Sequence, residues 1–336
     1  MRFVIYGAGA VGGVLGARLH QSGHDVMLIA RGAHHDAIAR DGLRFYTPDE
    51  RVTLPIPVAR DPATASIGPQ DVVILATKSQ DTWPALLALR AAAPSGGVPV
   101  VCMQNGVENE RIALRLFADV YGAVVMMPTG HLEPGLVLAY AREPTGMLDV
   151  GRFPHGVDHR SVAICEAIAS SLFESTPRAD IMRLKYAKLL LNVANAVSAI
   201  CGTEQSAAAE QEEGAAELSK RARAEAAAVL DAAGVRHHDD EVSDIRGRGD
   251  RWQVGDIEGY PRGGGSTWQS LARHAGAVET DFLNGEIVLE ARLQGMPAPV
   301  NELLQALTVQ MAREGRPPGW LAPTDVLARL DAKGPT

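Results

Sequence analysis

The first residues of the chain contain the feature that most constrains its fold. The run Arg2–Tyr6, rich in β-branched and aromatic residues, leads into Gly7-Ala8-Gly9-Ala10-Val11-Gly12, and a helical pattern follows. In this Gly-x-Gly-x-x-Gly pattern the first glycine permits a tight turn, the second lets the backbone approach a diphosphate, and the third lets the helix pack on the strand. The helix start attracts a diphosphate through its N–H groups and dipole. Because strand and helix are both present, the pattern predicts a dinucleotide-binding site rather than an ordinary glycine-rich turn.

Arg31 lies at the position that determines whether such a site binds NAD or NADP. It follows the apolar run Asp25–Ala30, and no acidic residue occurs after that run before Asp36. An acid about 20 residues beyond the glycines hydrogen-bonds the ribose 2′-OH of NAD, whereas an Arg accommodates the 2′-phosphate of NADP. A guanidinium offers a phosphate charge-assisted, bidentate hydrogen bonds. We therefore expect NADP(H), the alternative being an exposed loop arginine with no ligand.

Length, charge and cysteine content limit the classes of protein to which this chain can belong. With 336 residues the chain is too long for one ordinary core, and we expect two domains. A net charge of −8 argues against a nucleic-acid-binding surface. Three cysteines without paired spacing suit a reducing compartment. No apolar run approaches the roughly 18–20 residues that span a bilayer, and residues 2–13 already match a nucleotide-binding strand and turn rather than a secretory leader. These observations predict a cytoplasmic protein with no membrane partner, and they leave a homodimer open.

The order of patterns predicts an α/β fold, an N-terminal Rossmann-type domain followed by an all-helical C-terminal domain. Near-continuous apolar runs, typical of buried parallel strands, are separated by helical patterns as far as Pro177, and after Asp180 the chain turns rich in Ala and Leu. We expect an NADP(H)-binding domain over 1–178 and a substrate and catalytic domain over 179–336. In the second, the patterns predict single helices at Arg183–Ile200, at 207–233 and at Glu279–Gln294. Residues 235–265, polar and rich in glycine, are expected to form a functional loop.

Polar residues follow two of the predicted buried strands. Lys78 and Gln80 come after the strand 71–76, and Asn105 comes after the strand 98–103. Ligands of open α/β sheets bind beyond the carboxyl ends of the strands, so we expect Lys78 and Asn105 to contact the cofactor.

A stripe of polar residues lies on the otherwise apolar helix 183–200. Lys188 and Asn192 are four residues apart and share a face, and Asn195 lies close to the same stripe. Such groups are costly to bury without partners, so they either satisfy other buried groups or line a ligand cleft. Later in the chain, Ser266 and Glu279 begin two predicted helices, although Glu279 alone could be a first-turn charge that complements the helix dipole.

Taken together, these residues resemble the ketopantoate reductase family. The matching features occur in the same order over residues 3 to about 300: Gly7-x-Gly9-x-x-Gly12, Arg31, Thr77-Lys78, Gln104-Asn105-Gly106, Lys188-x-x-x-Asn192, Ser266 and Glu279-x-Asp281-x-x-Asn284-Gly285. The resemblance implies NADPH-dependent reduction of a 2-keto acid, with 2-dehydropantoate reduced to pantoate in pantothenate biosynthesis. It also implies that Lys188 is the general acid and that Glu279 orients the substrate. Asn105, Asn192, Asn195 and Ser266 are the expected substrate-binding residues.

The chemistry of hydride transfer agrees with this assignment, since negative charge develops on the keto oxygen and needs a placed proton donor. We expect Lys188, Ser266, Glu279 and Asn105 to converge on one cleft. One position departs from the family pattern: Ala196 stands where a further Asn is found, next to Asn195. This departure bears on the identity of the substrate rather than on the type of reaction.

Two alternative functions remain at this stage. A related oxidoreductase could act on a different keto or hydroxy acid, and a non-catalytic NADP(H)-binding sensor would need neither Lys188 nor Glu279. The pairs and clusters His34-His35 and His237-His238-Asp239-Asp240-Glu241 resemble metal ligands, but both fall in predicted loops without ligand spacing. We therefore expect no metal site.

Overall fold

The computed structural model describes residues 1–95, 97–202, 209–237, 239–249, 252–274 and 276–332. The chain divides into two compact units: unit 1 comprises residues 1–185 and 243–262, and unit 2 comprises residues 186–242 and 263–336. The single boundary expected after residue 178 differs from this division, because residues 243–262 return to unit 1.

Unit 1 is an α/β unit. Its strands are β1 Arg2–Tyr6, β2 Asp25–Ile29, β3 Leu43–Tyr46, β4 Arg51–Leu54, β5 Val58–Ala59, β6 Asp71–Leu75, β7 Val100–Cys102, β8 Val120–Met126, β9 Thr129–Gly130, β10 Leu136–Ala139 and β11 Met147–Arg152. Its helices include α1 Ala10–Gln21, α2 Gly32–Asp41, α3 Thr82–Ala92, α4 Asn109–Leu114 and α5 His159–Ala169, with a 3₁₀ turn at Ser79–Asp81. The predicted Rossmann-type organisation is confirmed.

The main sheet has seven strands in the order β11-β8-β7-β6-β1-β2-β5. All neighbours are parallel except β11, which runs antiparallel to β8. Every residue of β6 is buried, as expected for a parallel strand covered on both faces. The chain proceeds from β1 to one side through β2 and to the other side through β6, so the strand order reverses at β1. A crevice for ligands opens at the carboxyl ends of strands where the order reverses, and here the glycine turn occupies that place.

A second sheet, in the order β4-β3-β10-β9, packs against α1. Strands β3 and β4 form an antiparallel hairpin, and residues 58–59 form β5 of the main sheet. Strand β10 pairs with β3 in the second sheet, whereas β11 pairs with β8 in the main sheet.

After α5 the regular elements of the described residues are helices, as predicted. These helices are α6 Ile181–Asn192, α7 Asn195–Cys201, α8 Ala209–Ala232, α9 Asp239–Gly249, α10 Ser266–Ala272, α11 Asn284–Leu293, α12 Pro299–Glu314 and α13 Pro323–Asp331, with a 3₁₀ turn at Glu279–Phe282. The unit boundaries at 185/186 and 242/243 fall within α6 and α9. None of the described helices is both long and apolar enough to cross a membrane.

Two helices predicted as continuous are broken, and one predicted loop is partly helical. The helix 183–200 ends at Asn192 and resumes at Asn195, because the Asn284 side chain donates to the carbonyl of Val193, at 3.0 Å. The helix predicted from Glu279 begins as a 3₁₀ turn and becomes α-helical only at Asn284. The expected loop 235–265 contains α9.

Candidate active site

The glycine turn of unit 1 has the geometry that its spacing predicts. Gly7 has a φ of +107°, and a Cβ there would lie 2.8 Å from the backbone of Ala76. At Gly12 a Cβ would lie 2.2 Å from the carbonyl oxygen of Gly7, so only glycine allows this approach of helix to strand. At Gly9, in contrast, the nearest atom would be Cδ2 of His131 at 3.9 Å. The space in front of Gly9 is therefore open to a group that binds against the backbone.

The start of α1 presents backbone donors to this space. Gly9 is the N-cap and provides no side-chain cap, and the first N–H groups of a helix have no partner within it. The residues that follow, Ala10 and Val11, offer such N–H groups together with the positive end of the helix dipole. This arrangement fits the diphosphate of a dinucleotide.

His34 supports the same turn, a role that sequence reasoning missed. Its Nδ1 accepts a hydrogen bond from the Gly135 N–H at 2.8 Å, and its Nε2 lies 2.7 Å from the carbonyl oxygen of Ala8. Since Nδ1 accepts, the neutral imidazole carries its proton on Nε2 and donates it to Ala8. The prediction that His34 lies in a loop is wrong, because it belongs to the first turn of α2.

Arg31 lies at the end of β2 as expected and caps α2 without a side-chain cap bond. Its guanidinium makes an ion pair with Asp81, with 3.1 Å between Nη2 and Oδ2. Asp81 belongs to the 3₁₀ turn after β6, and its N–H donates to the carbonyl of Lys78 at 2.8 Å. The loops after β2 and β6 therefore meet at this pair.

A buried polar network joins the loops after β6 and β7. The Gln104 amide donates to the Thr77 carbonyl at 2.9 Å and to the Thr82 hydroxyl at 2.8 Å. Asn109 accepts from Thr82 at 2.7 Å and donates to the carbonyl of Asn105 at 3.2 Å. The predicted residues Lys78 and Asn105 are thus held in loops that share one set of hydrogen bonds.

Beneath Asn105 lies a buried ion pair that the sequence did not predict. Lys185 Nζ contacts the carboxylate of Glu110 and donates to the carbonyl of Gln104 at 3.0 Å. Both charged side chains are at most 2 % exposed. Burial raises the pKa of Glu110, and the charge of Lys185 counteracts that rise. The pair therefore fixes the backbone immediately before Asn105.

In unit 2, Lys188 combines partial burial with a shifted pKa. It lies on α6 among apolar neighbours, and desolvation lowers its pKa from 10.5 to about 8. On the same helix face, four residues later, Asn192 is buried, and its Oδ1 has no hydrogen-bond partner among the described residues. Lys188 and Asn192 thus combine a lowered pKa with an unsatisfied buried acceptor, two features that make residues candidates for a functional site.

Ser266 and Asn195 lie at neighbouring helix starts. Helix α10, which begins at Ser266, packs on α7, which begins at Asn195. A Cβ on Gly265 would lie 3.6 Å from the Oδ1 of Asn195, which places that amide beside the residue preceding Ser266. The hydroxyl of Ser266 is buried, and within the described chain it has no hydrogen-bond partner.

The motif that begins at Glu279 divides into a charged and a structural part. Glu279 is 7 % exposed and lies near Arg273, whose pKa burial lowers and the Glu279 charge raises. Asn284 is fully engaged in structure, since it donates to the Val193 carbonyl and, at 2.9 Å, to Asn301. Gly285 lies against the Gln305 side chain, since a Cβ there would lie 2.8 Å from its amide nitrogen. Asp281, the other acid of the motif, accepts a hydrogen bond from the Gln305 amide at 2.8 Å.

The predicted residues fall into two sets. The residues expected to bind cofactor lie in unit 1: Gly7, Ala8, Gly9, Ala10, Val11, Gly12, Arg31, Lys78 and Asn105. The others lie in unit 2: Lys188, Asn192, Asn195, Ser266 and Glu279. The expectation that Asn105 and the second set face one cleft stays a prediction. Among the described side chains, no three His, Cys, Asp or Glu are placed to hold a metal ion. His238 and the side chains of 239–241 lie outside the described residues.

Two family models match the chain. "Ketopantoate reductase PanE/ApbA" matches residues 3–154, and "Ketopantoate reductase PanE/ApbA C terminal" matches residues 180–312. The chain belongs to the ketopantoate reductase family. It is 30% identical to the 2-dehydropantoate 2-reductase of Halobacterium salinarum, over 94% of this chain and 100% of that protein. It is also 30% identical to the protein of that name from Mesorhizobium japonicum, over 94% of this chain and 98% of the relative.

Solved structures agree with this family assignment. A PanE/ApbA family ketopantoate reductase from Ralstonia eutropha JMP134 has a TM-score of 0.75 and 30% identity, covering 94% of this chain and all of that one. A D-mandelate dehydrogenase, solved with NADH and anilino(oxo)acetate, shares the fold with a TM-score of 0.76 at 21% identity, covering 94% of this chain and 99% of that chain. This ketopantoate reductase family member is therefore an oxidoreductase, dependent on a dinucleotide and acting on ketopantoate or a related keto acid.

Proposed function

We propose that this family member uses NADPH to reduce 2-dehydropantoate to pantoate, a step of pantothenate biosynthesis. The observation that carries the proposal is the stripe on α6, where Lys188, with a pKa of about 8, precedes the unsatisfied acceptor of Asn192 by one helical turn. A structural lysine would be expected to pair with an acid, as Lys185 does.

The chain's own residues account for the proton transfer. When bound, NADPH supplies the hydride to the keto carbon. Lys188 in its ammonium form donates a proton to the keto oxygen as negative charge develops there. Glu279 orients the substrate by accepting hydrogen bonds from its hydroxyl. The buried hydroxyl of Ser266 can donate to the substrate carboxylate, and the Oδ1 of Asn192 can accept from a substrate hydroxyl, so binding would satisfy both.

Unit 1 is the proposed NADP(H)-binding unit. The backbone of Gly7–Gly12 would hold the diphosphate, Arg31 the 2′-phosphate, and Lys78 and Asn105 further parts of the cofactor. The open space at Gly9 and the exposed guanidinium of Arg31 support this assignment. Unit 2 is the proposed substrate and catalytic unit, with Asn195 and Ser266 lining the substrate. A cytoplasmic location and a homodimer stay predictions.

One observation favours a second candidate, a reductase of the same build acting on a different 2-keto acid. The family pattern has a second Asn four residues after Asn192, but this chain has Ala196, which is 1% exposed. Asn195, one residue earlier, lies beside Gly265 instead. A pocket that reads the substrate hydroxyl from this shifted position could select another acid.

A panel of 2-keto acids assayed with NADPH and with NADH tests the function. We expect ketopantoate to have the highest kcat/KM. We expect 2-keto-3-methylbutyrate, which lacks the terminal hydroxyl, to fall at least roughly 100-fold lower, because a site that binds a hydroxyl rejects analogues without it. Glu279→Ala should remove much of that gap. Comparable kcat/KM values for the two acids would refute ketopantoate as the substrate but would still be consistent with a keto acid reductase. No turnover of any keto acid, with NADPH bound, would favour a sensor.

A further inference from the structure

The ion pair with Arg31 brings the Asp81 carboxylate to the end of β2, where the sequence itself has no acidic residue. In dinucleotide folds the residue that reads the adenosine ribose stands at the end of the second strand, and here that residue is Arg31. Asp81 reaches the same point from a different loop, the turn after β6, with 3.1 Å between the two charged groups. Both a cation and an anion therefore stand at the position that selects the cofactor.

The surroundings place this pair beside the glycine turn. Tyr6 is the last residue of β1 and directly precedes Gly7. Burial raises the pKa of the Tyr6 phenol, the charge of Arg31 lowers it, and the charges of Asp61 and Asp81 raise it, so these groups lie within electrostatic reach of one another. The side chains of Arg31 and Asp81 are 74 % and 37 % exposed, so a ligand can reach both.

We propose that Asp81 is a specificity-determining residue that lowers the preference of this protein for a 2′-phosphorylated nicotinamide dinucleotide. The proposal rests on the proposed function, in which Arg31 binds the 2′-phosphate. Asp81 opposes that binding in two ways: it occupies the guanidinium that the phosphate requires, and its negative charge repels the phosphate. The 2′-OH of NADH carries no charge and can donate a hydrogen bond to the same carboxylate.

The substitution Asp81→Asn tests this role with little structural disturbance. Asp81 stands at the N-cap of α3 but makes no side-chain cap bond, so the amide keeps the shape and loses only the charge. Asp36→Asn is the matched control. Asp36, on α2, is also an exposed acid, but it pairs with Arg60 at 2.7 Å and with His35 at 3.0 Å rather than with Arg31. Both variants change the net charge equally.

Dissociation constants of NADPH and NADH are measured by fluorescence titration, without a keto acid, at low and at high ionic strength. We expect Asp81→Asn to tighten NADPH by about three- to tenfold at low salt and to leave NADH unchanged or weaker. The gain should shrink at high salt, because exposed charges are screened. In an Arg31→Gln background, Asp81→Asn should tighten NADPH binding less, because there is no guanidinium for the substitution to release. Asp36→Asn should not alter the NADPH:NADH ratio.

The outcomes separate this inference from the proposed function. Binding of both nucleotides with a ratio that Asp81→Asn leaves unchanged would overturn the role of Asp81 alone. An equal ratio change in Asp36→Asn would also overturn it, because the effect would then come from net charge. If the wild-type protein binds NADH but not NADPH, the proposed cofactor is wrong and the inference falls with it.

Discussion

At the scale of single residues, the pKa of Lys188 makes the proposed chemistry dependent on pH. Burial lowers that pKa to about 8, so the ammonium that donates the proton is lost as the pH rises through this value. We expect kcat for keto acid reduction to fall above about pH 8 and the reverse oxidation, which needs the neutral amine, to rise.

Lys188→Ala should lower kcat by roughly 10²–10⁴-fold while NADPH still binds. Initial rates across pH, with nucleotide titrations, measure both.

A matched control for Lys188→Ala is Lys188→Arg, which keeps the positive charge. Because a guanidinium does not deprotonate in this range, the falling limb near pH 8 should disappear in that variant. A folded Lys188→Ala protein with near wild-type turnover would contradict the assignment of the general acid.

Ser266 provides a second prediction at this scale, since its buried hydroxyl has no partner among the described residues. Ser266→Ala should therefore leave the thermal midpoint of unfolding unchanged or slightly higher, because no hydrogen bond is lost. The KM for the keto acid should rise about tenfold, the loss of one hydrogen bond to a charged group. Steady-state kinetics and thermal unfolding measure the two effects.

Ser270→Ala is the matched control on the same helix. Ser270 is also buried, but its hydroxyl donates to the Ser266 carbonyl at 3.0 Å. We expect this variant to lose about 1 kcal/mol of stability and to keep the wild-type KM. The reverse pattern, with Ser266→Ala unstable and its KM unchanged, would make Ser266 a structural residue.

At the scale of elements, the buried pair of Lys185 and Glu110 ties α6 to α4. Lys185→Met leaves Glu110 uncompensated and should lower the free energy of unfolding by about 3–5 kcal/mol. The double variant Lys185→Met with Glu110→Leu should recover most of that loss, since an apolar pair of similar volume needs no compensating charge. Chemical denaturation monitored by circular dichroism measures these differences.

The loss in Lys185→Met should also depend on pH. Burial raises the pKa of Glu110 above its unfolded value of 4.5, and removing Lys185 raises it further. A carboxyl whose folded pKa is raised binds more protons in the folded state, so stability falls as the pH rises above the unfolded value. We expect the single variant to be closer to wild type at pH 5 than at pH 8. A loss independent of pH would mean that packing, not charge, dominates.

These elements also show which parts of the structure the sequence could predict. The strands, the glycine turn and the helical character of the second half follow from local patterns of apolar residues. The break after Asn192 does not, since the apolar pattern continues through Val193 and the cause is Asn284, far along the chain. The same limit applies to the pairs of Arg31 with Asp81 and of Lys185 with Glu110. Local periodicity contains no information about such long-range partners.

At the scale of the whole molecule, the chain leaves unit 1 after residue 185, returns at 243 and leaves again after 262. The sequence did not predict this return, because the polar, glycine-rich composition of residues 235–265 is typical of a loop. Its anchor is Arg248 of α9, which is 7% exposed and makes two hydrogen bonds to the buried carboxylate of Asp149, at 2.7 and 3.1 Å. A third bond, at 2.8 Å, joins it to Glu174. These charge-assisted bonds account for the membership of the segment in unit 1.

Arg248→Ala should therefore release the returning segment without unfolding the sheet. Hydrogen bonds to charged groups contribute about 1.5–3 kcal/mol, so amide exchange over 243–249 should accelerate roughly 10- to 100-fold. Exchange in β1 and β6 should change little, because Asp149 keeps its bond to Arg178, at 2.8 Å.

Arg246→Ala, an exposed position two residues away on the same helix, is the control and should exchange like wild type. Hydrogen–deuterium exchange mass spectrometry resolves these segments. Equal acceleration in both variants would show that Arg248 is not the anchor, and acceleration throughout unit 1 would show that the segment is part of its cooperative core.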